Sequence, residues 1–205
     1  MSDTPRSITL VAGASQTGKT TFALRYLLNT KADYVFMFDH DGEFSRRLHY
    51  PAADSAAALA HQLTWGWVDY DPSEMFPGQT AAALAFYCEW VWEVCRSLPG
   101  RKVLFVDELT RWTSPHSITP SLSTIVENGR KRGVQLMFTS NRPATTNSAI
   151  LGQLTELVAF QLPDIRLGDW LSSYGFDFES VRRLPKFHFQ AVNLDTWGRL
   201  SGRLP

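Results

Sequence analysis

The stretch Ile8-Thr9-Leu10-Val11-Ala12-Gly13-Ala14-Ser15-Gln16-Thr17-Gly18-Lys19-Thr20 decides the fold. A short apolar run ends in a loop bracketed by glycines. From Thr20 to Leu28, Phe22, Ala23 and Leu27 then recur at helical spacing. The loop matches G-x-x-x-x-G-K-[ST], a pattern with a mechanical reason. Glycines let the backbone wrap tightly enough for successive N–H groups to point at phosphate oxygens. The helix that follows adds its positive N-terminal end. This reading predicts that Gly13, Ala14, Ser15, Gln16, Thr17, Gly18, Lys19, Thr20 and Thr21 hold a nucleoside triphosphate, with ATP as the expected ligand. Lys19 is expected to reach the β- and γ-phosphates, and the Thr20 hydroxyl to ligate Mg²⁺.

Working outward, apolar runs recur at 34–38, 103–106, 134–138 and 157–162. Such runs fit strands buried on both faces of a parallel sheet. The segment 63–68 is a weaker strand candidate. Thr80 to Leu98 reads as the longest helix, with Leu84, Cys88, Val91, Cys95 and Leu98 on one stripe. Leu122 to Arg132 reads as a helix stopped by Gly133. Near the C-terminus, 187–193 and 197–200 flank Leu194-Asp195-Thr196 and predict a hairpin. Strands alternating with helices predict an α/β fold with a mainly parallel central sheet flanked by helices. We read one domain over 1–205, with its core at about 7–163 and an extension of helices and hairpin over 164–205. Ligands of such sheets bind at the carboxyl ends of the strands. The polar signatures gather there, after Ala12, Phe38, Val106 and Phe138.

Composition narrows the function. Lys+Arg and Asp+Glu each number 20, so a lone chain does not have the basic surface typical of a nucleic-acid binder. Oligomerisation that gathers basic residues on one face would change that. Cys88 and Cys95 stand two helical turns apart, too far for a disulfide, and read as buried thiols of a reducing compartment. The start Met1-Ser2-Asp3-Thr4-Pro5-Arg6 lacks the apolar stretch of a signal peptide, and no run has the length of a membrane span. The expectation is a soluble protein that is not secreted. The five histidines make no metal-ligand spacing, and no Ser-His-Asp or Cys-His arrangement can be argued.

Asp107 closes an apolar strand, the position that holds the Mg²⁺ shell in phosphate-loop enzymes. Glu108 beside it can orient and deprotonate a water for in-line attack. Asn141 is placed to hydrogen-bond the γ-phosphate or that water, or else to cap the turn before Pro143. Arg130-Lys131-Arg132 reads either as a solvated helix end or as an arginine finger offered to a neighbouring subunit, with Arg130 preferred over Arg132. Trp90 and Trp92 cannot both lie on the helix stripe, so one of them is expected at an interface. For Arg111-Trp112, packing is favoured over contact with nucleic acid.

Four segments come in order: the phosphate loop, Phe38-Asp39-His40-Asp41-Gly42-Glu43-Phe44, Val106-Asp107-Glu108, and the stretch from Asn128 to Pro143. Together they resemble the FtsK/HerA superfamily of DNA-pumping ATPases. The short length looks most like the genome-packaging ATPases of tailless icosahedral viruses with double jelly-roll capsids, of tectivirus and archaeal turreted-virus type. The resemblance implies a RecA-like P-loop core and a homo-oligomeric ring, hexamer or pentamer, hydrolysing ATP with Mg²⁺ at subunit interfaces. It implies double-stranded DNA in the channel and capsid or packaging-vertex proteins as partners, hence a place in the host cytoplasm and at the virion vertex. Carried over by position, Lys19 and Thr20 hold phosphate and Mg²⁺, Asp107 and Glu108 are the metal-shell and catalytic acids, and Arg130 acts in trans. Asn141 stands where the family usually has a longer sensor glutamine. Competing readings are a filamentous-phage assembly ATPase of the zonula-occludens-toxin-like group, a nucleotide-switched binding protein and a small-molecule kinase.

Overall fold

A computed structural model of the chain describes residues 6–205. Residues 1–5, on which the reading of the chain's start chiefly rests, lie outside the described residues. The apolar runs become strands β1 (Ile8–Ala12), β2 (Tyr34–Phe38), β4 (Lys102–Val106), β5 (Val134–Ser140) and β6 (Glu156–Ala159), joined by β3 (Trp67–Tyr70). The hairpin is β7 (His188–Asn193) with β8 (Arg199–Arg203). All eight form one sheet in the order β3-β2-β4-β5-β1-β6-β7-β8. β1 to β6 run parallel to one another, whereas β7 pairs antiparallel with both β6 and β8.

Alternation along the strands makes two cores. Leu10, Phe36, Leu104, Phe138 and Leu157 face one layer, covered by α4 (Thr80–Val94) and α5 (Pro120–Asn128). Val11, Met37, Phe105, Met137 and Val158 face the other, covered by α1 (Lys19–Asn29) and α2 (Glu43–Leu48). Each such side chain contributes roughly 1.5–3 kcal/mol on burial. The cysteines are free and buried, as the stripe predicted. Among the described residues no helix is long and apolar enough to cross a membrane.

Several boundaries differ from the sequence reading: the helix expected over Thr80–Leu98 ends at Val94, and the second hairpin strand, expected over 197–200, is Arg199–Arg203. Leu63 ends the helix α3 (Ala56–Leu63), and the chain turns at Gly66, φ +74°, before β3 begins at Trp67. A Cβ on Gly66 would stand 2.6 Å from the Asp33 carbonyl oxygen, so the turn needs glycine. The run 157–162 stops being strand after Ala159, because the Gln161 carbonyl accepts the Ala14 N–H (2.9 Å) instead of continuing a ladder. The helix expected to reach Arg132 ends at Asn128 and tightens into a 3₁₀ turn over Gly129–Arg132. The shorter helices α6 (Ser148–Leu151), α7 (Gly168–Ser173) and α8 (Phe178–Arg182) complete the chain.

Both tryptophans of α4 are half-buried and make contacts within the chain. Trp90 stacks on Tyr87 and meets Phe36 edge-on in an aromatic cluster. Trp92 is half-buried, with the Arg132 guanidinium 3.4 Å from its ring centre.

Candidate functional site

The glycine-rich loop is clamped at its start between two strand ends. Gly13 donates to the Ser140 carbonyl (3.1 Å) and Ala14 to that of Gln161. A Cβ on Gly13 would lie 2.7 Å from Phe160 Cβ, so only glycine fits there. Inside the loop, the Thr17 hydroxyl (2.8 Å) and the Lys19 ammonium (3.0 Å) both donate to the Ala14 carbonyl. Lys19 is 7% exposed, and burial lowers its pKa against the raising influence of Glu108, Asp107 and Glu43. An ammonium carries three donors, and this one uses a single one within the loop. The other two are available to an anion at the N-terminus of α1.

The second wall comes from β4. Register pairs Val106 with Phe138, so Asp107 and Thr139 stand side by side. The Thr139 hydroxyl donates to an Asp107 carboxylate oxygen and accepts the Glu108 N–H (2.7 Å). One hydroxyl therefore positions both acids. Burial raises the Asp107 pKa to about 6, with Thr139 opposing and the Glu108 and Glu43 charges adding. Glu108 sits at φ +46°, a left-handed conformation disfavoured for a residue with a Cβ. Strain of this kind, about 1–3 kcal/mol, persists where neighbours over-determine it. Arg111 holds the Glu108 carboxylate at 3.0 Å and reaches both Asp41 oxygens at 2.9 and 3.1 Å. Trp112 packs edge-on against Phe38 and His40 and donates to the Asp107 carbonyl (3.1 Å), in keeping with the packing role favoured for it.

The third wall is the loop after β2. Asp39 is 1% exposed, and its two oxygens accept the N–H groups of Glu43, Phe44 and Ser45 at 2.9–3.0 Å. That bonding builds α2 and turns Asp41, Glu43 and Arg47 toward the loop. Arg47 pairs with Glu43 (2.6 Å) and donates to the Thr21 hydroxyl (3.2 Å).

These walls enclose a cleft of about 340 Å³. Of the residues predicted from sequence, Ser15, Gln16, Gly18, Lys19, Thr20, Thr21, Asp107 and Glu108 line it together. Gly13, Ala14 and Thr17 shape the loop from behind. Asn141 is half-buried just past Ser140, beside the loop's first residue but not on the cleft wall. Arg130 precedes β5, at the opposite end of the sheet from the chain's own loop. It is exposed and makes no ion pair among the described residues, whereas Arg132 is held by Trp92 and Glu93. The cleft also contains Asp41, Glu43, Arg47 and Phe187, which sequence reasoning did not assign. Thr139 was not assigned from sequence either, its link to Asp107 coming from the strand register, and nothing local signals Phe187.

A mainly parallel sheet with a glycine-rich loop after β1 and an acidic pair after β4, with β5 lying between those two strands, is the fold of the P-loop NTPases. No protein-family model matches the sequence, and no curated protein sequence does. Among solved structures the chain is similar to the genome packaging NTPase B204 of Sulfolobus turreted icosahedral virus 2. In its complex with AMP that structure gives a TM-score of 0.71 at 20% identity, with 98% of each chain covered. In its complex with AMPPCP it gives 0.68 at 19% identity and the same coverage. VirB4 of Thermoanaerobacter pseudethanolicus gives 0.69 at 11% identity, covering 100% of this chain and 91% of that one.

Proposed function

We propose that the protein is an ATP hydrolase of the genome-packaging type, a motor that drives double-stranded DNA into a preformed capsid. The observation that carries hydrolysis is the single cleft shared by Lys19, Thr20, Asp107 and Glu108. The packaging reading is supported by likeness over nearly the whole length to a viral packaging NTPase.

In this reading the loop amides and the two free Lys19 donors bind the phosphates, stabilising charge that builds on them during transfer. Thr20 and Asp107 offer a hydroxyl and a carboxylate, the hard oxygen donors Mg²⁺ takes alongside phosphate and water. Among the described residues no three acidic, His or Cys side chains converge, so a metal here would share its shell with the phosphates. Mg²⁺ would supply charge neutralisation on the phosphate oxygens. Glu108 accepts a proton from water as the water oxygen bonds to the γ-phosphorus. The bond to the β–γ bridging oxygen breaks, and ADP leaves with that electron pair. Arg130 faces away from its own cleft, which suits an arginine delivered to the next subunit's γ-phosphate in a ring.

The test is ATPase rate against protein concentration, with and without double-stranded DNA. Stimulation by DNA and a steeper-than-linear concentration dependence are expected. Phosphate transfer to a small metabolite, indifferent to DNA, would replace this reading with a kinase. Arg130→Ala should lower turnover on the order of 10³-fold with little change in nucleotide affinity. Mixing it with Lys19→Ala subunits should recover activity, and no recovery at any ratio would remove the trans role.

A further inference from the structure

The cleft has two unlike ends. Its carboxylates Asp41, Glu43, Asp107 and Glu108 come from the loops after β2 and β4, which lie on one side of β1 in the sheet. On the other side of β1, beyond β6, the chain enters β7 through Phe187, whose ring also lines the cleft. Phe187 is 44% exposed, one of few large apolar side chains left so open.

Its placement is enforced. The backbone at Phe187 has φ +64°, a conformation that a bulky side chain adopts only when surroundings compel it. The Phe187 N–H donates to the Thr17 carbonyl (2.9 Å), and its own carbonyl accepts the Leu204 N–H (2.8 Å). Gly18 leaves room for the ring, since a Cβ there would stand 3.1 Å from Phe187 Cδ1. An apolar ring is thus fixed to the phosphate loop and presented to the cleft instead of to a core.

We infer that Phe187 is the platform on which the nucleobase stacks. A nucleoside triphosphate has one charged end and one flat π-face. With the γ-phosphate directed to Lys19 and the acids, the base falls on the opposite side of the loop, where the ring is. The inference rests on the proposal that the cleft holds a nucleoside triphosphate, and it adds which side chain holds the base. Stacking on an aromatic ring accepts any base, so Phe187 contributes affinity without choosing between adenine and guanine.

Calorimetric titration with Mg²⁺ present separates the possibilities. Phe187→Ala should weaken ATP and GTP by the same factor, about ten-fold or more, and leave inorganic tripolyphosphate binding unchanged. Phe187→Gly, which removes the ring while accepting the positive φ, should behave alike and covers the case in which the alanine variant fails to fold. Phe187→Trp should keep ATP affinity, with its fluorescence quenched by ATP but not by tripolyphosphate. Unchanged ATP affinity in both ring-less variants would overturn the inference. So would an equal loss for ATP and tripolyphosphate, which would make Phe187 a brace for the loop. Wild-type protein that binds neither ligand would instead remove the nucleotide reading underneath it.

Discussion

Asp39 and Asp107 occupy equivalent places in sequence and opposite roles in space. Each follows the last apolar residue of a strand, and those residues, Phe38 and Val106, are register partners on neighbouring strands. Asp39 has both oxygens taken up by three backbone amides of α2, so it is a buried cap. Asp107 has one oxygen bound by Thr139 and faces the cleft. The two acids differ in how many lone pairs the fold leaves unused, not in where they fall along the chain, and only Asp107 is left free for the role proposed for it.

The largest test of that distinction concerns the open end. Lys19→Ala should abolish measurable ATP binding, and Glu108→Gln should retain binding while lowering turnover by about 10²–10⁴-fold. Full activity of the glutamine variant would remove Glu108 from its role. Next, Asp39→Ala strands three amide donors in a buried position, each worth about 1–3 kcal/mol unsatisfied. It should lower stability by several kcal/mol in urea unfolding, whereas Asp107→Asn should unfold near wild type yet turn over poorly. Equal stability of the two variants would break the comparison.

A smaller effect concerns pH. The Asp107 carboxyl, raised to about 6 chiefly by burial, must be ionised to serve as a ligand. Turnover should fall as pH drops through about 6. Thr139→Val, which removes the bond favouring the ionised form, should move that midpoint upward. An unmoved midpoint would assign the limb to another group.

The smallest test uses a third acid. Asp69 on β3 is fully buried, and neither side-chain oxygen has a hydrogen-bond partner among the described residues. Burial first, then the charges of Asp39 and Asp71, raise its pKa to about 8. The folded state keeps this proton after the unfolded chain has lost it. The contribution of Asp69 to stability should therefore be most favourable below about pH 4 and decline toward about pH 8, by at most about 1.4 kcal/mol per pH unit. Asp69→Asn should flatten that slope in urea titrations; an unaltered slope would mean Asp69 titrates normally.

Much of the fold was legible because the central strands are buried on both faces and so read as unbroken apolar runs. β3 was blurred because Leu63 to Val68 is divided between a helix end, a glycine turn and a strand. The short helices α2, α6, α7 and α8 span too few residues to show a period. At the site, the loop and Asp107-Glu108 were readable because their spacing is local. Arg111, Arg47 and Phe187 were not, because each acquires meaning only from residues far along the chain. The contact of Arg132 with Trp92 likewise joins residues far apart in the chain and was not legible.

The bond from Phe187 to Thr17, with Leu204 closing behind it, bears on how the protein is made. Residues 13–20 are synthesised before β5 and β6, which flank them in the sheet, and before residues 187 and 204, through which the hairpin seals them. During translation the loop is exposed long before its supports exist. Pairings of such long sequence separation also form slowly. The glycine-rich loop, translated ahead of the strands and hairpin that brace it, is thus among the last parts of the fold to mature, and the proposed site stays unfinished until the hairpin has docked.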